Sequence, residues 1–297
     1  MFEFMNFFSG FFGYALGYFF DLFGNYGVSV ILFTALVSLL TIPLMIRRHR
    51  NMTPSVRFEI KREELQKSCG KDAQKFQHEF LVLSQKEGFN PMKGCFNITT
   101  FLTFIIFGGI YSTIQSPLTN VLHLPNSKVK FASEVISAKS TRVNTQLEIV
   151  KNFEVFKEKL TMFSPQELEK ISKLSSGFSF LGLNLLKIPK FSKFSDKIWI
   201  IPLLSLIVSL FSTQLLQKIS GMAIESDTKN RIMMMIFPIF QAWITYTVFA
   251  AVGLYLITSG IFGVLQSLLI DKFFSIYALN AKKESNRFKQ LLSTEAE

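Results

Sequence analysis

Residues 28–46, VSVILFTALVSLLTIPLMI, contain no charged side chain and run straight into Arg47, Arg48, His49 and Arg50. About 20 apolar residues cross the hydrocarbon core of a bilayer. A run of this length closed by a cationic cluster constrains the chain more than any other feature. It predicts a membrane-spanning helix whose C-terminal end faces the cytoplasm, the side that retains Lys and Arg. One detail departs from a plain span. Thr34, Ser38 and Thr41 stand at i, i+4 and i+7, on one stripe of a helix, in a solvent that offers hydroxyl groups no partners.

Similar runs recur at about 96–114, 198–216, 232–250 and 254–270, with Gly253 separating the last two. Charged residues make up 18% of the chain, below the roughly 25% of soluble domains, and they cluster between the runs. The expectation is an all-α polytopic membrane protein with a five-helix transmembrane core, a cytoplasmic helical hairpin, and an N-out/C-in orientation. Residues 1–24, dense in Phe and Tyr, read as an aromatic helix lying in the membrane interface rather than crossing it. Residues 25–115 hold span one, the hairpin over 51–90 and span two; 116–197 form an extracytoplasmic loop; 198–270 hold spans three to five; 271–297 are a basic cytoplasmic tail.

Two connecting segments have readable local structure. In the hairpin, Pro54 opens one helix, Cys69-Gly70 turns the chain, and Phe76, Phe80 and Leu83 share a face of the return helix. In the long loop, Ser164-Pro165-Gln166-Glu167 has the form of a helix N-terminus: a serine cap, proline in the first turn and a glutamate reaching back. The loop is rich in lysine although alternation places it outside. The orientation rule weighs short loops, and long segments translocate largely regardless of charge. No cleaved signal is expected, because MFEFMNFF lacks a basic start and a small-residue cleavage site.

The formal charge of +11 suits an anionic lipid surface. No reader motif accompanies it, so sequence-specific nucleic-acid binding is not expected. Cys69 and Cys95 are too few for a disulfide framework or a zinc site. His49, His78 and His123 all lie outside the apolar runs, so a Ser–His mechanism within the membrane has no base. The spans lack internal Asp, Glu, Lys and Arg, which weakens the alternative of a channel or transporter subunit. Neither an enzyme, a metal nor a cofactor is expected. What remains is uncharged polarity. Many Ser and Thr hydroxyls bond back to their own helix, but an amide such as Asn97, Gln214 or Gln241 cannot satisfy all its groups that way.

The succession NYGVSVILFTALVSLLTIPL, basic flank, charged hairpin, EGFNPMKGCF and a span ending GGIY resembles the YidC-type (Oxa/Alb) membrane-protein insertases. FLGLNL before span three, QKIS at its end, MMMIFPIF and GLYLITSGIFGVLQSLLI continue the resemblance in order. It implies a hydrophilic groove within the bilayer, open to cytoplasm and lipid, that receives hydrophobic segments of nascent membrane proteins and releases them laterally without nucleotide hydrolysis. On that resemblance the groove residues are Thr34, Ser38, Thr41, Asn97, Gln241 and Tyr255, in a bacterial plasma membrane. The 51–90 hairpin and the basic tail are expected to meet client, ribosome or Sec translocon. The chain departs from the family pattern at Ser38, where relatives carry a basic residue. It departs also at Asn97, at Phe101-Leu102-Thr103, at Leu256 and at Gly260. The second alternative is a non-inserting paralogue that stabilises one membrane partner.

Overall fold

A computed structural model describes residues 2–52, 56–70, 72–86, 108–137, 145–219, 228–273 and 285. The main helices are α1 (Phe2–Phe23), α2 (Tyr26–Met52), α3 (Val56–Cys69), α4 (Ala73–Lys86), α5 (Asn126–Ser137), α6 (Thr145–Lys151), α7 (Pro165–Gly177), α8 (Ile200–Ile219), α9 (Thr228–Thr247) and α10 (Ala250–Phe273). A two-stranded antiparallel ribbon, β1 (Ser179–Phe180) and β2 (Leu183–Asn184), follows α7. Among the described residues, three helical stretches are long and apolar enough to cross a membrane: Tyr26–Ile46, Lys197–Leu215 and Ala250–Phe273. The chain divides into two compact units, one of Met1–Leu39, Phe104–Leu215 and Ile224–Val264, the other of Leu40–Thr103, Leu216–Ala223 and Leu265–Glu297.

In the first unit, α1 is sided. Phe12, Leu16 and Phe20 are buried at one-turn intervals, while Phe11, Tyr14, Tyr18 and Leu22 on the other side are exposed. Gly13 and Gly17 lie beside the buried stripe. A β-carbon at Gly13 would overlap the Asn120 carbonyl, so glycine here allows α1 to touch the backbone of the short turn Pro117–Asn120. The helix ends at Gly24, whose φ of +63° a larger residue would resist. Asn25 restarts the chain: its Oδ1 accepts from the Val28 amide at 3.2 Å, and its Nδ2 donates to Ser179 O at 2.8 Å.

The segment 145–197, expected as part of a long loop, is folded. Leu147, Val150, Phe153, Leu160, Phe163, Ile171, Leu174 and Phe178 form its core, continuous with Phe20 of α1 and Tyr26 of α2. Its α7 starts with the expected capping box. Ser164 Oγ accepts from the Glu167 amide at 3.3 Å, and Glu167 Oε2 accepts from the Ser164 amide at 2.7 Å. Gln146 Oε1 accepts from the Leu118 and Thr119 amides at 3.1 and 3.3 Å, holding the first turn after the 108–115 helix to α6. The ribbon turns on Leu181-Gly182, both with positive φ, the backbone of a two-residue hairpin turn.

The break between the last two apolar runs falls at Val248–Phe249, not at Gly253. Two loop carbonyls decide this. Lys187 O accepts from the Ala250 amide at 2.9 Å and Leu185 O from the Ala251 amide at 3.0 Å, so the free N–H groups that open α10 are satisfied there. Gly253 instead lies inside α10 against the Ile201 side chain, and Gly260 similarly faces Val208. These are close helix–helix contacts of the small-residue type.

In the second unit, α3 and α4 form the expected antiparallel hairpin. Phe58 is buried and meets Phe80 edge-on at 5.8 Å, with Phe76 stacked on Phe80. Phe76, Phe80 and Leu83 are the half-buried residues of α4, as their spacing predicts. The turn uses Gly70 at φ +54°, and Asp72 Oδ1 accepts from the Lys75 amide at 3.1 Å to start α4.

Candidate functional site

The polar residues of the spans fall into two chemical groups. Single hydroxyls bond mostly within their own helix. Thr34 Oγ1 donates to Val30 O at 2.6 Å and is buried; Thr113, Thr213 and Thr258 do likewise to Gly109, Ser209 and Leu254. A hydroxyl so placed is satisfied without water. One turn on from Thr34, Ser38 is half-buried rather than sealed.

Amides behave differently because one helix cannot fill their valence. In the first unit, Gln241 of α9 donates from Nε2 to Ser205 Oγ of α8 at 3.4 Å. Ser205 itself is fully buried, while Gln241 is half-buried. In the second unit, Gln266 of α10 donates from Nε2 to Thr41 Oγ1 of α2 at 3.4 Å. Both are long contacts, at the weak end of hydrogen-bond geometry. Tyr255 is buried on α10, and its hydroxyl is hydrogen-bonded to Ser259 one turn later.

The six expected residues are thus distributed unevenly. Thr34, Ser38, Gln241 and Tyr255 belong to the first unit and Thr41 to the second. Asn97 and most of the span expected at 96–114 lie outside the described residues. Ser205 and Gln266 join the set as partners. Both are visible in the sequence as polar residues inside apolar runs, but no spacing rule pairs residues that far apart in the chain. Among the described residues no cluster of His, Cys, Asp and Glu is arranged to hold a metal.

Ionised partners are found outside the apolar helices. Lys128 Nζ lies 2.7 Å from Glu167 Oε2, and Lys187 Nζ lies 2.6 Å from Asp196 Oδ2. The lysine hydrogen bond leads in holding each carboxyl below its ordinary range, the backbone amide it accepts from adding to this. At His123, stacked on Tyr14 at 3.8 Å, partial desolvation depresses the imidazole pKa; Asp21 opposes this and Lys170 adds to it.

Long apolar helices, carrying amide–hydroxyl contacts and accompanied by a charged helical hairpin, define a helical membrane protein. The chain belongs to the 60Kd inner membrane protein family, whose profile matches residues 18–277. It is 24% identical over 246 residues to the membrane protein insertase YidC of Caldanaerobacter subterraneus, covering 83% of this chain and 85% of that protein. Over 95 residues it is 39% identical to the membrane protein insertase MisCA of Bacillus subtilis, covering 31% of this chain and 36% of that one. A 102-residue match to the membrane protein insertase YidC of Rhizobium meliloti, 32% identical, covers 34% of this chain but 17% of that protein's length. The family expected from the ordered motifs is the one found.

Proposed function

We propose that the protein receives hydrophobic segments of nascent membrane proteins in a hydrophilic groove within the bilayer and releases them laterally into lipid, with no catalytic residue and no nucleotide. Membership of the family supports this reading, and one observation carries it. Gln241, inside an apolar helix, is half-buried, and among the described residues its amide makes one long contact, to Ser205 Oγ at 3.4 Å. A polar group turned toward hydrocarbon is strongly disfavoured. Partial exposure of an amide so placed supports water or a polar client segment standing beside it. A wet half-channel shortens the apolar barrier for a translocating polar segment. The client's apolar segment then partitions to lipid, at about 25 cal/mol per Å² removed from water.

In this reading the core has five helices with the N-terminus outside and the C-terminus inside. The α3–α4 hairpin and the tail face the cytoplasm, where ribosome, Sec translocon and anionic lipid would meet them. The membrane is the bacterial plasma membrane. Thr34, Ser38, Thr41, Asn97, Gln241 and Tyr255 line the groove. The test places a photo-crosslinking amino acid at Ser38 and, as a control, at lipid-exposed Leu203, and offers ribosome-bound nascent membrane proteins. The expected result is client adducts at Ser38 that exceed those at Leu203. Adducts at neither position, when a conventional insertase gives them in parallel, would overturn the reading.

A further inference from the structure

The segment Lys187–Trp199 joins the β-ribbon to α8 and takes no part in the proposed groove. Lysines and apolar residues interleave along it: Lys187, Lys190, Lys193 and Lys197 alternate with Ile188, Phe191, Phe194 and Ile198. It is an ordered strap. The Lys187–Asp196 ion pair closes its two ends, Ser192 donates from its amide to Pro189 O at 2.9 Å and from Oγ to Ile188 O at 3.1 Å, and Asp196 Oδ1 receives the Ile198 amide. The Lys187 carbonyl is held by the Ala250 amide that opens α10.

That order sorts the apolar side chains in two directions. Pro189 and Ile198 are buried, whereas Phe191 and Phe194 are left 60% and 84% exposed. Lys190 extends its ammonium to 5.7 Å from the Phe191 ring, and Lys193 is exposed one residue before Phe194. Phe194, Trp199 and Tyr246 form a chain of ring contacts at 5.1 and 5.3 Å. Immediately afterwards α8 exposes Ile200, Leu203, Leu204, Ile207 and Phe211 along the stretch apolar enough to cross a membrane. Exposed apolar side chains therefore stand on the strap and again along α8, linked by the ring contacts of Phe194 and Trp199.

We propose that the strap Lys187–Trp199 is a docking site for anionic phospholipid, with Phe191 and Phe194 entering the interface and Lys190 and Lys193 meeting the phosphates. Two features of the segment select lipid over a protein partner. Its apolar anchors lead into the exposed side of a helix apolar enough to cross a membrane, and its exposed charges, Lys190, Lys193 and Lys197, are all of the sign that an anionic headgroup attracts. Aromatic rings at a span's entry belong at headgroup depth. Docked in this way, the strap fixes how deeply α8 starts and holds the N-terminus of α10 with it. The inference rests on the proposed topology only for which leaflet is involved.

The test uses the full chain with Cys69→Ser, Cys95→Ser and Phe194→Cys, labelled with an environment-sensitive fluorophore and placed one per nanodisc. Phosphatidylcholine and phosphatidylglycerol-rich discs are compared. A lysine near an anionic surface shifts a partition equilibrium by about fivefold. The ratio of shielded to acrylamide-accessible label should therefore rise about fivefold or more in phosphatidylglycerol, quenching by lipid-borne nitroxide should rise, and K190E/K193E should abolish the difference. Equal acrylamide access in both lipids overturns the proposal. So does shielding indifferent to K190E/K193E, or shielding that requires two chains per disc, which would assign the strap to a second copy. Client crosslinking at Ser38, measured separately, decides the insertase reading alone; lipid-dependent shielding in a chain that captures no client leaves the strap standing.

Discussion

Two buried or stacked side chains in the first unit make opposite demands on their surroundings. The Tyr26 ring stacks on Phe178 at 4.0 Å and is fully buried, yet its hydroxyl has no hydrogen-bond partner among the described residues. A buried hydroxyl without a partner costs about 1–3 kcal/mol, and the ring packs equally well without it. Tyr26→Phe should leave stability unchanged or raise it by up to that amount, read by denaturant or thermal unfolding in detergent; a clear loss would reveal a partner. His123 makes the other demand. It holds a left-handed φ of +53° and stacks on Tyr14, with its pKa depressed below the ordinary 6.5 by desolvation, then opposed by Asp21 and reinforced by Lys170. A folded-state pKa below the unfolded one means the unfolded chain binds the extra proton first. The contact's contribution is therefore complete above pH 6.5 and is lost as pH falls through the depressed folded value. The expected outcome is a melting temperature that declines from about pH 7 to about pH 5, with a smaller decline in His123→Asn, whose side chain tolerates the same backbone.

At the scale of the element, α1 depends on its glycines as well as on its buried aromatic rings. The rings fill either face, but only Gly13 and Gly17 let the helix meet the carbonyls of Asn120 and Val121. Overpacking of this kind costs about 1–3 kcal/mol. Gly13→Ala should release α1 from the domain, seen as faster proteolysis within residues 2–23 under conditions where Gly10→Ala, with open space around it, changes little. The same element shows what was legible beforehand. Patterns confined to one helix could be read directly: the capping box at Ser164, the face of Phe76, Phe80 and Leu83, and the cationic end of the first span all depend on neighbours three or four residues away. The folding of residues 145–197 and the break at Val248–Phe249 could not. They are decided by contacts distant in sequence, such as Gln146 with the Leu118 amide and Lys187 O with the Ala250 amide. Gly253 looked like punctuation, because a glycine between apolar runs is as consistent with a turn as with a close helix contact.

For the molecule as a whole, the proposed groove departs from the pattern its family resemblance implies in one respect that function should register: Ser38 puts no cation at mid-span. Every candidate residue was recognisable in the sequence as a polar residue in an apolar run; which of them pair was not. Their partners Ser205 and Gln266 emerge only from the packing of α8 on α9 and of α10 on α2. Uncharged partners of this kind bind a client's backbone and polar side chains without regard to its charge. Relatives that carry a basic residue at this position add an attraction for acidic segments. Ser38→Arg restores the charge, at a cost of about 2.5–3.5 kcal/mol for a cation at the centre of a helix in lipid. A wet groove would lower that cost by hydrating the guanidinium, so the variant should still fold and reach the membrane. In an insertion assay on proteoliposomes it should raise the yield of clients with acidic translocated segments, an effect that fades as salt is added. Clients with neutral segments should insert equally well through both forms, since they respond to the groove's water and its opening to lipid. If Ser38→Arg fails to accumulate while a conservative Ser38→Thr variant accumulates normally, position 38 faces hydrocarbon or a dry core rather than water, and the groove must be built from other residues.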